Sequence, residues 1–359
     1  MPRPRRLVRR SAAPLAGALA WLPVASLLAV PAALGHGGEV PPPPDLAAFL
    51  LGWSFHPQVA LPLLLAAAAY LWAVRRVNAV HPANPVPLDR PVFFLVGLAC
   101  LAVALMSGIE RYDTELFAAH MVQHLLIVFG AAPAIVLAAP ITLLLRVASP
   151  EVRNRWILPV LRSVPVKVVA HPLVAWLLFT AVMWGSHVSP LFDAALEDPL
   201  VHDLEHGLYL ASALLFWMPV VGRDPSPWRL PYPARIGYLF LQMPLNSLLG
   251  VAILFADQVL YPHYVTTGRL WPPSPLEDQQ LAGAIMWGLG DLGFLVAIFL
   301  VIAAWMRSEE ESTRRREAAE DARAARAADP GSAAPASPAA PAAPASPPQA
   351  QAEGIGAAR

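Results

Sequence analysis

The sequence contains few charged residues and only one cysteine. Charged side chains make up 14% of its 359 residues and hydrophobic ones 57%, whereas soluble domains are typically about 25% charged. This scarcity of charge excludes an ordinary soluble domain and indicates a membrane protein. Because Cys100 is the single cysteine, a disulfide framework, an all-thiolate zinc site and a CxxC redox motif are excluded. The 25 basic residues equal the 25 acidic ones, so no basic face for nucleic acid is indicated.

Sequence motifs for nucleotide binding and hydrolysis are also missing. The chain has no GxxxxGK[ST], no GxSxG and no HExxH. We therefore expect no nucleotide partner, no ATP-driven pump and no hydrolase, and we predict that the protein is not an enzyme.

The first 35 residues have the layout of a secretory signal. Five arginines precede an apolar run over 12–34, and small residues stand at Ala33 and Gly35. We predict a signal peptide cleaved near His36, with an uncleaved signal anchor as the alternative. Either possibility leaves residues 36–57 as an extracytoplasmic segment, because the arginines resist export.

Seven further apolar stretches follow, each near the roughly 20 residues that a helix needs to cross a hydrocarbon core of about 30 Å. They predict an all-α fold, a polytopic membrane helix bundle with seven transmembrane helices over residues 58–306. Residues 307–359 are predicted to form a charged, Ala/Pro-rich and disordered cytoplasmic tail, whose charged segment is a helix former. We place the seven spans at 58–77, 91–109, 116–139, 172–189, 200–221, 234–256 and 280–305.

The basic residues are distributed unevenly among the predicted loops. The first, third and fifth loops contain eleven Lys and Arg, whereas the opposite side contains only Arg111 and Arg269. Lys and Arg accumulate on the cytoplasmic side of a membrane. We therefore predict a multi-pass protein of the bacterial plasma membrane, with the mature N-terminus outside and the C-terminus in the cytoplasm.

Histidines concentrate in the outer half of the predicted bundle. His120 and His124 on the third span, and His202 and His206 on the fifth, are spaced i, i+4 and therefore share a helix face. Both helices run inward, so the pairs are predicted at matched depth, and His187 lies near the outer end of the fourth span. Imidazole binds Zn, Cu, Fe and Ni. The sequence therefore predicts a metal site formed by these five histidines.

Other polar residues leave several interpretations open. One histidine from each of two facing helices would suit axial haem ligation in a b-type cytochrome, and a copper transporter is a further alternative, with Asp291 in the last span moving protons or ions. Carboxylates near the histidines are candidates for orienting them or attracting cations; they are Asp113, Asp193, Asp203 and Glu205.

The sequence resembles the CtaG-type cytochrome c oxidase assembly factors, a seven-helix membrane family. The resemblance extends over about residues 50–305 and rests on several ordered motifs. The matching stretches are AHMVQHLL (Ala119 to Leu126), HVSPLFDAAL (His187 to Leu196), HDLEHGLYLASALLFWMPV (His202 to Val220), LYPHY (Leu260 to Tyr264) and DQQLAGAIMWGLGD (Asp278 to Asp291).

This resemblance implies a role in building a haem–copper oxidase, through delivery of a copper ion to its subunits. The family's histidines map onto His120, His124, His187, His202 and His206, the same five that depth and spacing select. We thus expect a non-enzymatic assembly factor whose ligand is copper and whose partners are cytochrome c oxidase subunits and the lipid bilayer.

Overall fold

The computed structural model describes residues 41–328, and this part of the chain is helical with no β-strand. The prediction of an all-α fold is confirmed. The predicted signal segment, the first five residues of the predicted extracytoplasmic segment and the Ala/Pro-rich tract after 328 lie outside the described residues.

The helices follow one another with short connections. In chain order they are α1 (Leu46–Leu51), α2 (Pro57–Val80), α3 (Asp89–Met106), α4 (Gly108–Tyr112), α5 (Phe117–Leu125), α6 (Ala132–Leu137), α7 (Pro140–Val147), α8 (Pro150–Val152), α9 (Leu158–Leu161), α10 (Val164–Val169), α11 (Pro172–Val188), α12 (Leu191–Glu197), α13 (Pro199–Val221), α14 (Tyr232–Leu254), α15 (His263–Thr266) and α16 (Pro275–Ala328). Two π-helical segments, Leu126–Ala131 and Arg153–Ile157, join α5 to α6 and α8 to α9.

Six helical segments of the described chain are long and apolar enough to cross a membrane. A seventh span results if α11 and α12, which are bent by 72° relative to each other, are counted as one. The predicted polytopic membrane bundle is therefore confirmed. The six segments are Pro57–Val80, Asp89–Tyr112, Phe117–Val147, Pro199–Val221, Tyr232–Leu254 and Pro275–Arg326.

Helix α13, which contains two of the histidines, is capped at both ends. The Asp198 side chain accepts a hydrogen bond from the backbone N–H of Leu200 (2.8 Å), and Pro199 occupies the first turn, where it sacrifices no helical hydrogen bond. At the other end Gly222 has φ = 62° and its N–H donates to the Met218 carbonyl (3.0 Å). These caps fix where the histidine-bearing helix begins and ends.

The third span changes its helical geometry directly after His124. The π-helical segment Leu126–Ala131 follows α5, and Ala139 then adopts φ = 52° before α7 begins. The Tyr70 hydroxyl donates to the Ala138 carbonyl (2.7 Å) at this break. Pi-helical turns inside α-helices are frequent at functional sites, and this one separates the histidine-bearing turn from the rest of the span.

Neighbouring spans pack against the helices that carry the histidines. Helix α13 packs against α11 and α6, and α3 packs against the π-helical segment. The indole N–H of Trp217 donates to the Val128 carbonyl (2.8 Å), which joins α13 to the third span. These contacts therefore fix the positions of α5 and α13, whose side chains face each other inside the bundle.

The chain divides into two compact units, one ending at Ala304 and one beginning at Trp305. The second unit is helical up to Ala328, and its side chains are largely exposed, with an ion pair between Arg315 and Glu311 (3.1 Å). Residues 307–328, the charged segment that the sequence identifies as a helix former, are thus helical. Alanine-rich sequence and oppositely charged side chains spaced i, i+4 favour this helix.

Candidate metal centre

Four histidines on two helices form two facing pairs. The ring centroids of His120 and His202 are 5.4 Å apart, and those of His124 and His206 are 5.5 Å apart. Along each helix the successive rings are 4.3 Å apart on α5 and 4.4 Å apart on α13. The two pairs therefore lie at matched depth, as their i, i+4 spacing and parallel direction predict.

His187 joins this group from α11. Its ring centroid lies 6.4 Å from that of His124, and its Nδ1 atom lies 2.8 Å from the Met183 carbonyl oxygen. A carbonyl only accepts hydrogen bonds, so Nδ1 carries the hydrogen and Nε2 carries the lone pair. Nε2 is buried and has no hydrogen-bond partner among residues 41–328. The structure thus brings all five predicted histidines together.

The histidine rings are shielded from solvent and only partly hydrogen-bonded. His120 is fully buried, and each of the other four is at most 8% exposed. In the described part of the chain, neither ring nitrogen of His120 or of His124 has a hydrogen-bond partner. A buried polar atom without a partner is costly, and unpartnered imidazole nitrogens are the atoms that a metal ion would satisfy.

Two buried carboxylates lie beside these rings. Glu205 Oε2 is 3.8 Å from His120 Nε2, and Asp113 Oδ2 is 3.8 Å from His202 Nε2. His120, His202 and Glu205 each offer one ligand atom, and these three atoms lie within 4.8 Å of one another. Donor atoms around a tetrahedral ion with bonds near 2.1 Å are about 3.4 Å apart, so small side-chain rotations would close this set on an ion.

Gln123 links one of the histidines to a carboxylate. Its Nε2 atom donates to Asp113 Oδ2 (2.8 Å) and to the Ala104 carbonyl (3.0 Å), which identifies the amide nitrogen. Its Oε1 atom therefore accepts from His206 Nε2 (2.9 Å), and the lone pair of His206 lies on Nδ1. Sequence reasoning missed Gln123, which is fully buried. The signal that would have identified it is a polar amide between two histidines of an apolar predicted span.

Aromatic side chains cover the cluster. The Tyr261 hydroxyl donates to the His187 carbonyl (3.1 Å), and the Tyr264 hydroxyl donates to the Asp113 carbonyl (3.1 Å). Burial raises the pKa of both hydroxyls, so they remain protonated donors at neutral pH. Phe192 packs against His120, with ring centroids 5.0 Å apart. Both tyrosines belong to the LYPHY element of the sequence, which therefore helps to exclude water from the histidines.

The start of α5 is held by a carboxylate from the last span. Asp278 accepts hydrogen bonds from the backbone N–H groups of Phe117 (2.7 Å) and Ala118 (3.2 Å). The Arg269 guanidinium lies 4.0 Å from the same carboxylate and over the Trp271 ring, 4.8 Å from its centroid. Asp278 thus acts as an N-terminal cap supplied from another helix, and it fixes the helix that carries two candidate ligands.

The other predicted polar residues have separate contacts. Asp193 lies at hydrogen-bond distance from the backbone N–H of His263 (3.4 Å), and Asp203 is partly exposed. Asp291 joins α16 to α14, since Asn246 Nδ2 donates to its Oδ1 atom (3.0 Å) and the Ser247 hydroxyl donates to Oδ2. Among the predicted carboxylates, Asp113 and Glu205 are the two that lie at 3.8 Å from a ring nitrogen of a candidate ligand.

Comparisons with known proteins point to one family. A family model described as cytochrome c oxidase caa3 assembly factor matches residues 68–308, more than half of the chain. Uncharacterised proteins of Mycobacterium bovis and Mycobacterium tuberculosis are each 30% identical over 296 residues, and one of Mycobacterium leprae is 28% identical over 294 residues; each match covers 80% of this chain and 44% of the relative. The chain thus spans less than half the length of these curated relatives, and no solved structure matches it. This chain belongs to the cytochrome c oxidase caa3 assembly factor family.

Proposed function

We propose that this protein is a non-enzymatic assembly factor that binds a copper ion through its buried histidines and passes it to a subunit of cytochrome c oxidase. Family membership supports the link to the oxidase. The observation that carries the copper assignment is the set formed by His120, His202 and Glu205, whose ligand atoms lie within 4.8 Å of one another.

The choice of copper follows from the donor chemistry. Imidazole and carboxylate sites bind copper(II) more tightly than the other divalent first-row metals. A histidine binds a metal ion more readily when a hydrogen bond already fixes which ring nitrogen carries the lone pair. The contacts with Met183 and Gln123 do this for His187 and His206. These contacts would let the site accept an ion with little reorganisation.

The surroundings of the histidines suit temporary storage of a copper ion. Asp113 and Glu205 supply negative charge that offsets a buried cation, and the aromatic cover of Phe192, Tyr261 and Tyr264 shields it from water. With the topology predicted from the basic loops, the site lies near the extracytoplasmic face, and the oxidase subunit would receive copper there.

Metal analysis of the purified full-length protein tests the binding step. We expect copper in the wild type and in His81→Ala, which alters an exposed histidine far along the chain from the cluster. We expect copper to be lost in the His120→Ala/His202→Ala double variant. Equal copper content in the double variant and the wild type would refute the proposed site. A Soret absorbance band would instead establish the haem alternative.

Deletion of the gene in the source organism tests the delivery step. We expect cytochrome c oxidase with reduced activity and reduced copper content, restored by the wild-type gene and not by the double variant. Normal, copper-replete oxidase in the deletion strain would refute delivery. Copper uptake into liposomes containing the purified protein would favour transport instead.

A further inference from the structure

We infer that Glu205 makes the centre selective for cupric over cuprous ion. The inference rests on the proposed function, because it specifies the oxidation state of the copper that the same residues bind. We call the three side chains His120, His202 and Glu205 the N2O set.

Glu205 is placed as a direct ligand. Its side chain is 2% exposed, and its Oε2 atom lies 3.8 Å from His120 Nε2. Neither carboxylate oxygen has a hydrogen-bond partner within residues 41–328. A buried carboxylate without a donor is unfavourable unless a cation compensates it, so this side chain has both the position and the energetic reason to bind an ion.

The donor atoms of the N2O set are two nitrogens and one oxygen. Cuprous ion is bound by soft thiolate and thioether sulfur, whereas imidazole and carboxylate donors favour divalent copper. Glu205 therefore contributes the donor that discriminates between the two oxidation states, since imidazole alone suits a wider range of metal ions.

Charge balance acts in the same direction. Asp113, which is fully buried, places a second carboxylate oxygen 3.8 Å from His202 Nε2. When both carboxylates are ionised, a divalent ion neutralises their two negative charges, whereas a monovalent ion leaves one uncompensated. Uncompensated charge is expensive in a low-dielectric interior. Replacing the ionisable Glu205 by a neutral isostere should therefore weaken cupric binding more than cuprous binding.

Reduction of the copper-loaded wild-type protein provides the first test. The protein is loaded with cupric ion, and ascorbate is then added without oxygen in the presence of a chromogenic chelator specific for cuprous ion. We expect the cupric electron paramagnetic resonance signal before reduction and transfer of the copper to the chelator after it. Retention of cuprous ion by the protein would overturn the inference while leaving copper binding intact.

Substitution of the carboxylate provides the second test. Glu205→Gln is compared with Glu197→Gln, which neutralises an exposed carboxylate of α12, and thermal unfolding checks that both variants are folded. We expect Glu205→Gln to weaken cupric affinity about 10- to 100-fold with cuprous affinity changed less than about 3-fold, and Glu197→Gln to change neither. Unchanged cupric affinity in Glu205→Gln would refute the inference. If the wild type binds neither oxidation state, the proposed function itself fails.

Discussion

The Nε2 atom of His206 lies 2.9 Å from the Oε1 atom of Gln123, whose own Nε2 atom donates to Asp113. This arrangement connects a candidate ligand to a buried carboxylate through one neutral side chain. It fixes both the tautomer and the ring orientation of His206. Mutation of such a partner typically lowers metal affinity about 10- to 100-fold.

Replacement of Gln123 should therefore weaken metal binding although Gln123 is not itself a proposed ligand. In Gln123→Leu, His206 loses its acceptor and is free to change tautomer and rotamer. We expect copper affinity to fall about 10- to 100-fold, measured by competition with a chelator. Gln280→Leu, at a partly buried position of α16, serves as the control. A folded Gln123→Leu protein with wild-type affinity would contradict a positioning role.

The cap that Asp278 supplies to α5 should contribute measurably to stability. Asp278→Ala removes the acceptor for two backbone N–H groups, and it leaves the buried Arg269 without its carboxylate neighbour. Loss of a helix cap costs about 0.5–2 kcal/mol, and a buried guanidinium that loses its neighbouring carboxylate adds to this. We expect a lower thermal unfolding midpoint in detergent for Asp278→Ala and a smaller decrease for Asp278→Asn, which keeps an oxygen acceptor. Equal midpoints for all three proteins would show that the cap is dispensable.

Much of this arrangement follows from sequence periodicity. The positions of the apolar stretches predict the spans to within a few residues at most ends. The i, i+4 spacing and the topology predict that His120 and His124 lie at the same depth as the pair on α13. Glu205 stands three residues after His202, so its place on the same helix face was also accessible from the sequence. The sequence predicts that it orients the histidines or attracts cations, and its Oε2 atom lies 3.8 Å from His120 Nε2.

Contacts between distant segments could not be predicted in the same way. Asp278 reaches the first turn of α5 from about 160 positions along the chain, and periodicity on either helix carries no information about which turns meet. The Met183 carbonyl determines which ring nitrogen of His187 carries the lone pair. The orientation of the Gln123 amide does the same for His206. These features require the packed bundle, because they are set by the relative depth and rotation of separate helices.

Two glycines of α16 provide a matched test of how closely it approaches α14. A Cβ atom added at Gly283 would lie 2.5 Å from the Leu254 backbone nitrogen and 2.8 Å from the Gly250 carbonyl oxygen, whereas one added at Gly288 would meet nothing within 4 Å. We expect Gly283→Ala to destabilise the protein by about 1–3 kcal/mol through overpacking. Gly288→Ala should be neutral or slightly stabilising, since alanine favours helix more than glycine does. Equal unfolding midpoints for the two variants would contradict this close approach.

Asp291 offers a test that separates a structural role from ion movement. Its carboxylate accepts hydrogen bonds from Asn246 and Ser247, and Asn246 also donates to the Met286 carbonyl (3.1 Å), so the group joins α14 to α16. We expect Asp291→Asn to retain near wild-type stability and oxidase copper content, because asparagine keeps polar contacts to the same partners. Asp291→Leu should be less stable by about 1–2 kcal/mol, the size of an interhelical hydrogen bond in a membrane.

The decisive comparison is between the two Asp291 variants in the deletion strain. A carboxylate that moves protons or ions must ionise, so a transport mechanism predicts that Asp291→Asn fails as completely as Asp291→Leu despite being folded. A contact between helices predicts that only Asp291→Leu is impaired, in proportion to its loss of stability. Oxidase copper content together with the unfolding midpoints of the purified variants therefore distinguishes the two roles of this partly buried acid.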